Sequence, residues 1–169
     1  MAWTSPRTWA DGETPTGALL NTHLRDNLNE LEHPIGYTEF TSPVSVTATV
    51  EATPTDIVSA GTITFDGNPV WVEFYYPYFQ LPPAAGGALY LTLWNDTTQI
   101  GRFAASEAES TTVRTQPGGT FKRKITPTAA DHVLKVSGFV SSGTAVVGAG
   151  AGTSITYEPG YIRIYSGVA

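Results

Sequence analysis

The residues that could carry out chemistry are few and scattered along the chain. The 169 residues include no cysteine and only three histidines, at positions 23, 33 and 132. No two histidines stand four residues apart, as they do on a zinc-binding helix, and no GxSxG sequence positions a serine nucleophile. The glycine-rich run at 148–152 lacks the GxxxxGK or GxGxxG spacing of a phosphate-binding loop. The sequence therefore argues against hydrolase, metalloprotease and nucleotide-binding functions, and we expect neither a cofactor nor a metal ion.

One pair of carboxylates has a spacing that could be catalytic. Glu107 and Glu109 are two residues apart, so a strand would present both on one face. Such a pair could bind a cation or act on a glycosidic bond. Alternating acids are also common on solvated edges and loops, and this is the preferred interpretation. The sequence thus predicts a protein that is not an enzyme.

Aromatic side chains are concentrated between residues 70 and 79. Strand alternation places Trp71, Glu73 and Tyr75 on one face and valines and further aromatic residues on the other. One of these faces should lie in the core. The second should pack against another copy of the chain, against the N-terminal helix, or against a ligand such as a sugar, and another copy is preferred. The candidate ligand-binding residues are Trp71, Tyr78 and Trp94.

Most of the chain has the two-residue periodicity of β-strands. The 25 threonines outnumber all 24 charged residues, and 17 glycines and 12 prolines supply turns, among them 95–96 and 117–119. The predicted strands are 44–50, 57–65, 70–79, 88–95, 99–105, 110–116, 120–126, 132–140, 144–148 and 160–166. Eight to ten strands at this spacing predict a mainly β fold, an antiparallel jelly-roll sandwich preceded by one N-terminal amphipathic α-helix.

The helix is predicted in the first 34 residues. Thr14 is the expected N-cap and Pro15 the first helical residue, and the helix should end before Pro34. A leucine stripe follows one face, and its members are Leu20, Leu24, Leu28 and Leu31. We therefore divide the chain into a segment at 1–34 and a jelly-roll domain at 35–169, and the stripe needs a partner in that domain or in other copies.

The net charge of −6 is distributed unevenly. It amounts to −8 up to Glu73 and +2 beyond it. An acidic chain of this kind is not a general nucleic-acid binder, and no apolar run is long enough to span a membrane. The basic run Lys122, Arg123 and Lys124 either protects an exposed edge strand or meets the acidic half of a neighbouring subunit. Its outer two residues should face one way and Arg123 the other.

Two stretches of the sequence resemble a known group of proteins. Residues 3–28, WTSPRTWADGETPTGALLNTHLRDNL, resemble the opening of short structural proteins of tailed bacteriophages, especially those of actinobacteria. Residues 121–128 (FKRKITPT), 132–136 (HVLKV) and 158–165 (EPGYIRIY), together with the glycine-rich run, look like the later strands of the trimeric tumour-necrosis-factor-like jelly roll found in such proteins. The acidic residues Asp11 and Glu13 depart from the apolar character expected of the opening segment.

The resemblance implies a homotrimer on the surface of the virion, made in the host cytoplasm and attached to the major capsid protein or to a tail component. Its docking residues would be Trp3, Pro6, Arg7 and Trp9, followed by the leucine helix. The trimer interface would include Tyr75, Tyr161, Ile162, Ile164 and Tyr165, because the last strand would lie near the threefold axis. The alternative is a tail or fibre module that recognises carbohydrate on the host cell surface.

Overall fold

The computed structural model describes residues 8, 10–25, 34–82, 86–108, 115–150 and 156–166. These contain a short helix, α1 (Gly17–Leu20), and ten strands. The strands are β1 (Gly36–Phe40), β2 (Val44–Val46), β3 (Thr55–Thr64), β4 (Val70–Gln80), β5 (Ala88–Asn95), β6 (Thr98–Glu107), β7 (Thr115–Ile125), β8 (Asp131–Val140), β9 (Ala145–Gly148) and β10 (Gly160–Ser166).

The strands form two antiparallel sheets, as the sequence predicted for a jelly-roll sandwich. In the larger sheet the order is β1-β10-β4-β9-β2, and β7 pairs with the opposite edge of β4 along its whole length. β10 covers the first half of β4 and β9 the end of it, so β4 is the central strand. The smaller sheet has the order β3-β8-β5-β6.

The core lies between the two sheets and is built from alternate residues of their inner faces. Val72 and Phe74 of β4 and Ile162 of β10 are fully buried on one side, and Leu93 of β5 and Val136 of β8 on the other. Burying a side chain of this size contributes roughly 1.5–3 kcal/mol, so these central strands hold the sandwich together.

Two strand predictions were wrong. β7 runs without a break through the predicted turn at 117–119, because Gly118 allows close approach to β4: a Cβ atom there would overlap the carbonyl oxygen of Tyr76. The expected strand at 44–50 ends at Val46, because the following residues cross to the smaller sheet, where Glu51 binds Arg102. β1 was not predicted as a strand. The turn at Asn95 and Asp96 is confirmed.

The N-terminal helix is present, with a different start. Its N-cap is Thr16, whose hydroxyl accepts a hydrogen bond from the Leu19 amide (3.3 Å), and a π-helical turn, Asn21–Arg25, follows Leu20. Leu20 and Leu24 are 39% and 54% exposed, so the chain's own strands do not cover them. The other stripe residues, Leu28 and Leu31, and the four docking residues, Trp3, Pro6, Arg7 and Trp9, lie outside the described residues.

Candidate functional site

Four strands of the larger sheet, in the order β1-β10-β4-β7, present an outer face rich in aromatic and charged side chains. We call it the tyrosine face and define it by the outward residues of these strands. They are Tyr37 and Glu39 on β1, Tyr161, Arg163 and Tyr165 on β10, Trp71, Glu73 and Tyr75 on β4, and Thr120, Lys122 and Lys124 on β7. Strand pairing aligns them in rows, of which the central one is Tyr37, Arg163, Glu73 and Lys122.

Tyrosine rings form a continuous strip across the face. The ring of Tyr161 lies between those of Tyr37 and Tyr75, with centroids 5.6 and 5.4 Å away. Tyr37 is 48% exposed, and the other two are half-buried by their neighbours. Tilted ring pairs at this separation attract one another, so the strip has a defined shape before anything binds to it.

Glu73 lies at the centre of the face and is only 6% exposed. One carboxylate oxygen accepts a hydrogen bond from the Tyr161 hydroxyl (2.7 Å), and the other forms an ion pair with the Lys122 ammonium (2.6 Å). Burial disfavours its charge, but the bonds from Lys122 and Tyr161 more than offset this, so the pKa of Glu73 lies below its usual range. Glu73 is therefore a fixed anion that ties three strands together.

The partners of Glu73 respond to its charge. Burial, together with donation to the carboxylate, raises the pKa of Tyr161 to about 12. The hydrogen bond to Glu73 raises the pKa of Lys122 above its usual range. At neutral pH the tyrosine therefore keeps its proton and the lysine its charge, and the network does not titrate.

Cationic side chains of β7 and β10 lie over aromatic rings of the face. The Lys122 ammonium is 5.6 Å from the centroid of Tyr165, and the Arg163 guanidinium is 5.3 Å from the same ring. The Lys124 ammonium lies 6.0 Å from the ring of Trp71. These contacts are within the range of cation–π attraction and hold the long side chains against the sheet. As expected from alternation, Lys122 and Lys124 face outward and Arg123 faces the other way.

The structure brings together three of the five residues predicted for a trimer interface. Tyr75, Tyr161 and Tyr165 lie on the tyrosine face. Ile162 and Ile164 point into the core and have no exposed surface, so their assignment to an interface requires correction. The reason is the two-residue period of β10, which turns adjacent side chains to opposite faces.

The three aromatic residues predicted to bind a ligand lie apart. Trp71 is on the tyrosine face. Tyr78 is 7% exposed and packs against Tyr157, with ring centroids 4.3 Å apart. Trp94 is also 7% exposed, on the smaller sheet, and its indole nitrogen donates to the Thr92 hydroxyl (2.8 Å). Tyr78 and Trp94 are thus occupied within the chain, and of the three only Trp71 is placed for a ligand.

A hydroxyl–imidazole–carboxylate chain lies at one end of the sandwich. The His132 ring is 2.7 Å from a carboxylate oxygen of Asp96 and 2.8 Å from the Thr128 hydroxyl. Asp96 also accepts from the Val133 amide (2.8 Å), and these bonds lower the pKa of its carboxyl group. The cluster resembles a nucleophilic triad in connectivity, but its backbone bonds fix the β5–β6 turn to β8, and we interpret it as a structural clamp.

Of the two candidate catalytic acids, the structure describes one. Glu107 is an exposed residue at the end of β6, and Glu109 lies outside the described residues. Within the described ranges, no three histidine, cysteine or acidic side chains are grouped as metal ligands. No helix in that part of the chain is long and apolar enough to span a membrane.

Several members of the tyrosine face were missed at the level of sequence. Tyr37 belongs to a strand that was not predicted, and Arg163 was not connected to Glu73. The alternation of Tyr161, Arg163 and Tyr165 was a visible signal for an outward face. The strand order brings β1, β10, β4 and β7 side by side through pairings between residues distant in sequence. Sequence periodicity does not reveal such pairings.

Comparison with known proteins finds likeness in structure only. No protein-family model and no curated protein matches the chain. The solved structures that resemble it include the C-terminal domain of EclA, described as a sugar-binding protein, at 19% identity over 64% of this chain and 75% of that one, with a TM-score of 0.37.

Two further solved structures resemble the chain, and they differ from each other in kind. One is a carbohydrate binding module (CBM6cm-2) from Cellvibrio mixtus lichenase 5A in complex with cellotriose, at 11% identity over 83% of this chain and 94% of that one, with a TM-score of 0.32. The other is a pentameric capsid protein from metagenomic phage sequences, at 15% identity over 92% and 78%, with a TM-score of 0.31. The neighbours thus include sugar-binding domains and a phage capsid protein.

Proposed function

We propose that this protein is a non-enzymatic structural component of a bacteriophage particle, a homotrimer that associates through its tyrosine face. Its N-terminal segment docks to the capsid, and its jelly roll faces solvent on the virion surface. The observation that carries the proposal is the tyrosine face itself, a preorganised strip of aromatic rings around a fixed ion pair on the outside of a complete sandwich.

The composition of the face favours association with protein. Tyrosine, tryptophan and arginine are enriched at the centres of protein–protein interfaces, and rigid aromatic rings lose little conformational entropy on binding. Here the rings of Tyr37, Tyr75 and Tyr161 are already held by one another. A second copy that covered them would remove apolar ring surface from water without reorganising the strands.

The phage assignment is supported by the N-terminal segment. Residues 3–28 resemble the opening of phage structural proteins, and Leu20 and Leu24 have no cover within the described chain. A helix that exposes its leucines is suited to pack on another protein or on copies of itself. This is the arrangement expected of a segment that attaches a projecting domain to a particle.

The oligomeric state is the first test. We expect light scattering at micromolar concentration to give three times the chain mass. Tyr37→Asp should lower the mass toward that of the monomer, because it places a charge on the aromatic strip at a position that is 48% exposed. Val50→Asp is the matched control, since Val50 is 55% exposed and lies outside the face. A wild-type protein that remains monomeric would overturn the proposal.

Location on the particle is the second test. Antibodies against the jelly roll should label capsids of purified virions in electron micrographs. Labelling confined to the tail would show that the docking partner is a tail component and not the capsid. Particles that carry no label would contradict the virion role.

Carbohydrate binding is a second candidate, favoured by one observation. Trp71 is a half-buried ring on the outer face with Lys124 beside it, and sugars bind to such rings by stacking and to adjacent charged groups by hydrogen bonds. In this case the protein would be a tail or fibre module that binds host cell-surface glycan. Titration calorimetry with host cell-wall glycan should show binding that Trp71→Ala abolishes, and the absence of heat with wild-type protein would dismiss this candidate.

A further inference from the structure

The tyrosine face is bordered by two edges of opposite charge. Among the described strands, β1 pairs with β10 alone and β7 with β4 alone, so both are edge strands of this four-stranded region. The β1 edge presents Glu39 and the β7 edge presents Lys122 and Lys124. We infer that copies of the chain associate head to tail, with the acidic β1 edge of one copy against the basic β7 edge of the next; the inference rests on the proposed trimer.

Each of the two edges has a charged group that is available to bind a partner. Glu39 is exposed, and one of its oxygens accepts a hydrogen bond from the Tyr37 hydroxyl (2.6 Å), which leaves the other oxygen available. Lys124 is exposed and lies over Trp71, and no carboxylate in the described chain forms an ion pair with it. Lys122 is already held by Glu73, so Lys124 is the lysine we assign to Glu39 of a second copy.

The two groups cannot satisfy each other within one chain. β10 and β4 separate β1 from β7 by three inter-strand spacings, about 14 Å, and the row of Glu39 meets β7 at Thr120, four residues or about 13 Å along the strand from Lys124. An ion pair needs the charged atoms within about 4 Å. Glu39 and Lys124 of one chain therefore cannot pair with each other, and a second copy supplies the complementary charge to each.

Because the two edges of the face carry opposite charges, head-to-tail contacts between copies are favoured over contacts between two identical edges. Each copy offers one acidic and one basic edge, so every contact repeats the same complementary pairing, and three such contacts close the ring of the proposed trimer. Contacts between two β1 edges or two β7 edges would oppose like charges. Complementary edges set the orientation of the copies, and the aromatic strip between them supplies the area that is removed from water.

Charge reversal tests the inference. We expect Glu39→Lys and Lys124→Glu each to raise the dissociation constant of the trimer about tenfold or more. The double variant, with both charges exchanged, should restore association. Glu107→Lys reverses an exposed acid at the end of β6, on the smaller sheet, and is the matched control. Dissociation is measured by analytical ultracentrifugation over a dilution series, with circular dichroism to show that each variant is folded.

The outcomes separate the inference from the proposed function. A wild-type protein that is monomeric at every concentration overturns both. A wild-type trimer that neither single reversal weakens overturns the edge pairing alone, and so does a double variant that associates no better than the single variants. Weaker association in each single variant, with recovery in the double variant, supports the pairing. A general effect of charge on association would not be reversed by the second substitution.

Discussion

Glu73 is a carboxylate surrounded by aromatic rings, and its bonds hold the centre of the tyrosine face. Tyr161 of β10 and Lys122 of β7 both donate to it from opposite sides of β4. A buried charge of this kind requires a partner for each oxygen, since an unpaired one would cost more than the bond contributes. The network therefore determines the shape of the face as well as part of the stability of the sheet.

Replacing this carboxylate should destabilise the protein measurably. We expect Glu73→Gln to lower the free energy of unfolding by about 1–2 kcal/mol, because the amide is neutral and offers Lys122 and Tyr161 only one acceptor oxygen. Chemical denaturation followed by circular dichroism measures the change. Glu107→Gln, an exposed acid on the other sheet, should have little effect, and an equal loss in both variants would argue against the network.

The same comparison has a predictable pH dependence. The pKa of Glu73 in the folded protein is below the ordinary value of 4.5, so its contribution is present above pH 4.5 and lost as the pH falls through the folded pKa. The difference in stability between wild type and Glu73→Gln should thus be constant near neutrality and shrink below pH 4.5. A difference that grew on acidification would have the wrong sign for a stabilised carboxylate.

At the scale of elements, β7 depends on a glycine where it passes β4. A Cβ atom on Gly118 would overlap the carbonyl oxygen of Tyr76, which belongs to the backbone and cannot rotate away. Gly119, one residue on, has nothing closer than 3.9 Å and provides a matched control. We expect Gly118→Ala to lower the melting temperature by several degrees, equivalent to roughly 1–3 kcal/mol, and Gly119→Ala to change it little. Equal melting temperatures would contradict the close approach.

Local sequence predicted much of the fold, and the errors have physical causes. Alternation identified β4, β5 and β8 because each has a regular buried face. The turn expected at 117–119 was wrong because proline and glycine favour turns locally, whereas here Gly118 permits contact with a strand forty residues away. The aromatic outer face of β4 was predicted correctly. Its neighbours on β1 and β7 were not, since strand order is a property of the whole sheet.

Glu51 binds the connection between β2 and β3 to the smaller sheet, and the Val140 amide of β8 also donates to the Ala48 carbonyl oxygen in this connection (2.8 Å). Glu51 accepts hydrogen bonds from Gln99 (2.7 Å) and from two nitrogens of Arg102 (2.9 and 2.8 Å). These bonds lower the pKa of Glu51 to about 2. Since the ion pair is at the surface, it should order the connection locally and contribute little to global stability.

Removing this acid should loosen only the connection. We expect Glu51→Gln to speed amide hydrogen exchange in residues 47–54, with no comparable change in Glu158→Gln, where the acid is also exposed. Because the folded pKa is lowered, the interaction is complete above pH 4.5 and lost as the pH falls toward 2. The side-chain NMR signals of Arg102 should therefore shift with a midpoint near pH 2, and a midpoint at 4.5 would contradict the pairing.

At the scale of the molecule, charge is sparse and its position matters more than its sum. In the proposed trimer, a net charge of −6 on each copy would disfavour association unless opposite charges met at the contact. The tyrosine face provides this arrangement, with acid at one edge and base at the other. Elsewhere the many threonines supply polar hydroxyl groups, which keep the β surface hydrated without adding like charge.

The sandwich should be stable without the N-terminal segment, although docking should require that segment. The residues of α1 are not buried, and the hydrogen bonds of β1 begin at Ile35, whose amide donates to the Ile164 carbonyl oxygen (2.8 Å). Deleting residues 1–34 should therefore change the melting temperature by no more than about 2 °C, because the described residues of this segment are not part of the core. Differential scanning calorimetry measures this, and a large decrease would contradict the division of the chain at residue 34.

The same deletion should abolish docking. Cosedimentation with capsids that lack this protein is expected for the full chain and not for residues 35–169. In the full chain, Leu24→Asp should also prevent binding without unfolding the protein, since this side chain is 54% exposed, whereas Thr22→Asp, at another exposed position, should bind normally. Capsid binding by the truncated protein would instead assign docking to the jelly roll, and the leucine stripe would then be free to join copies of the chain.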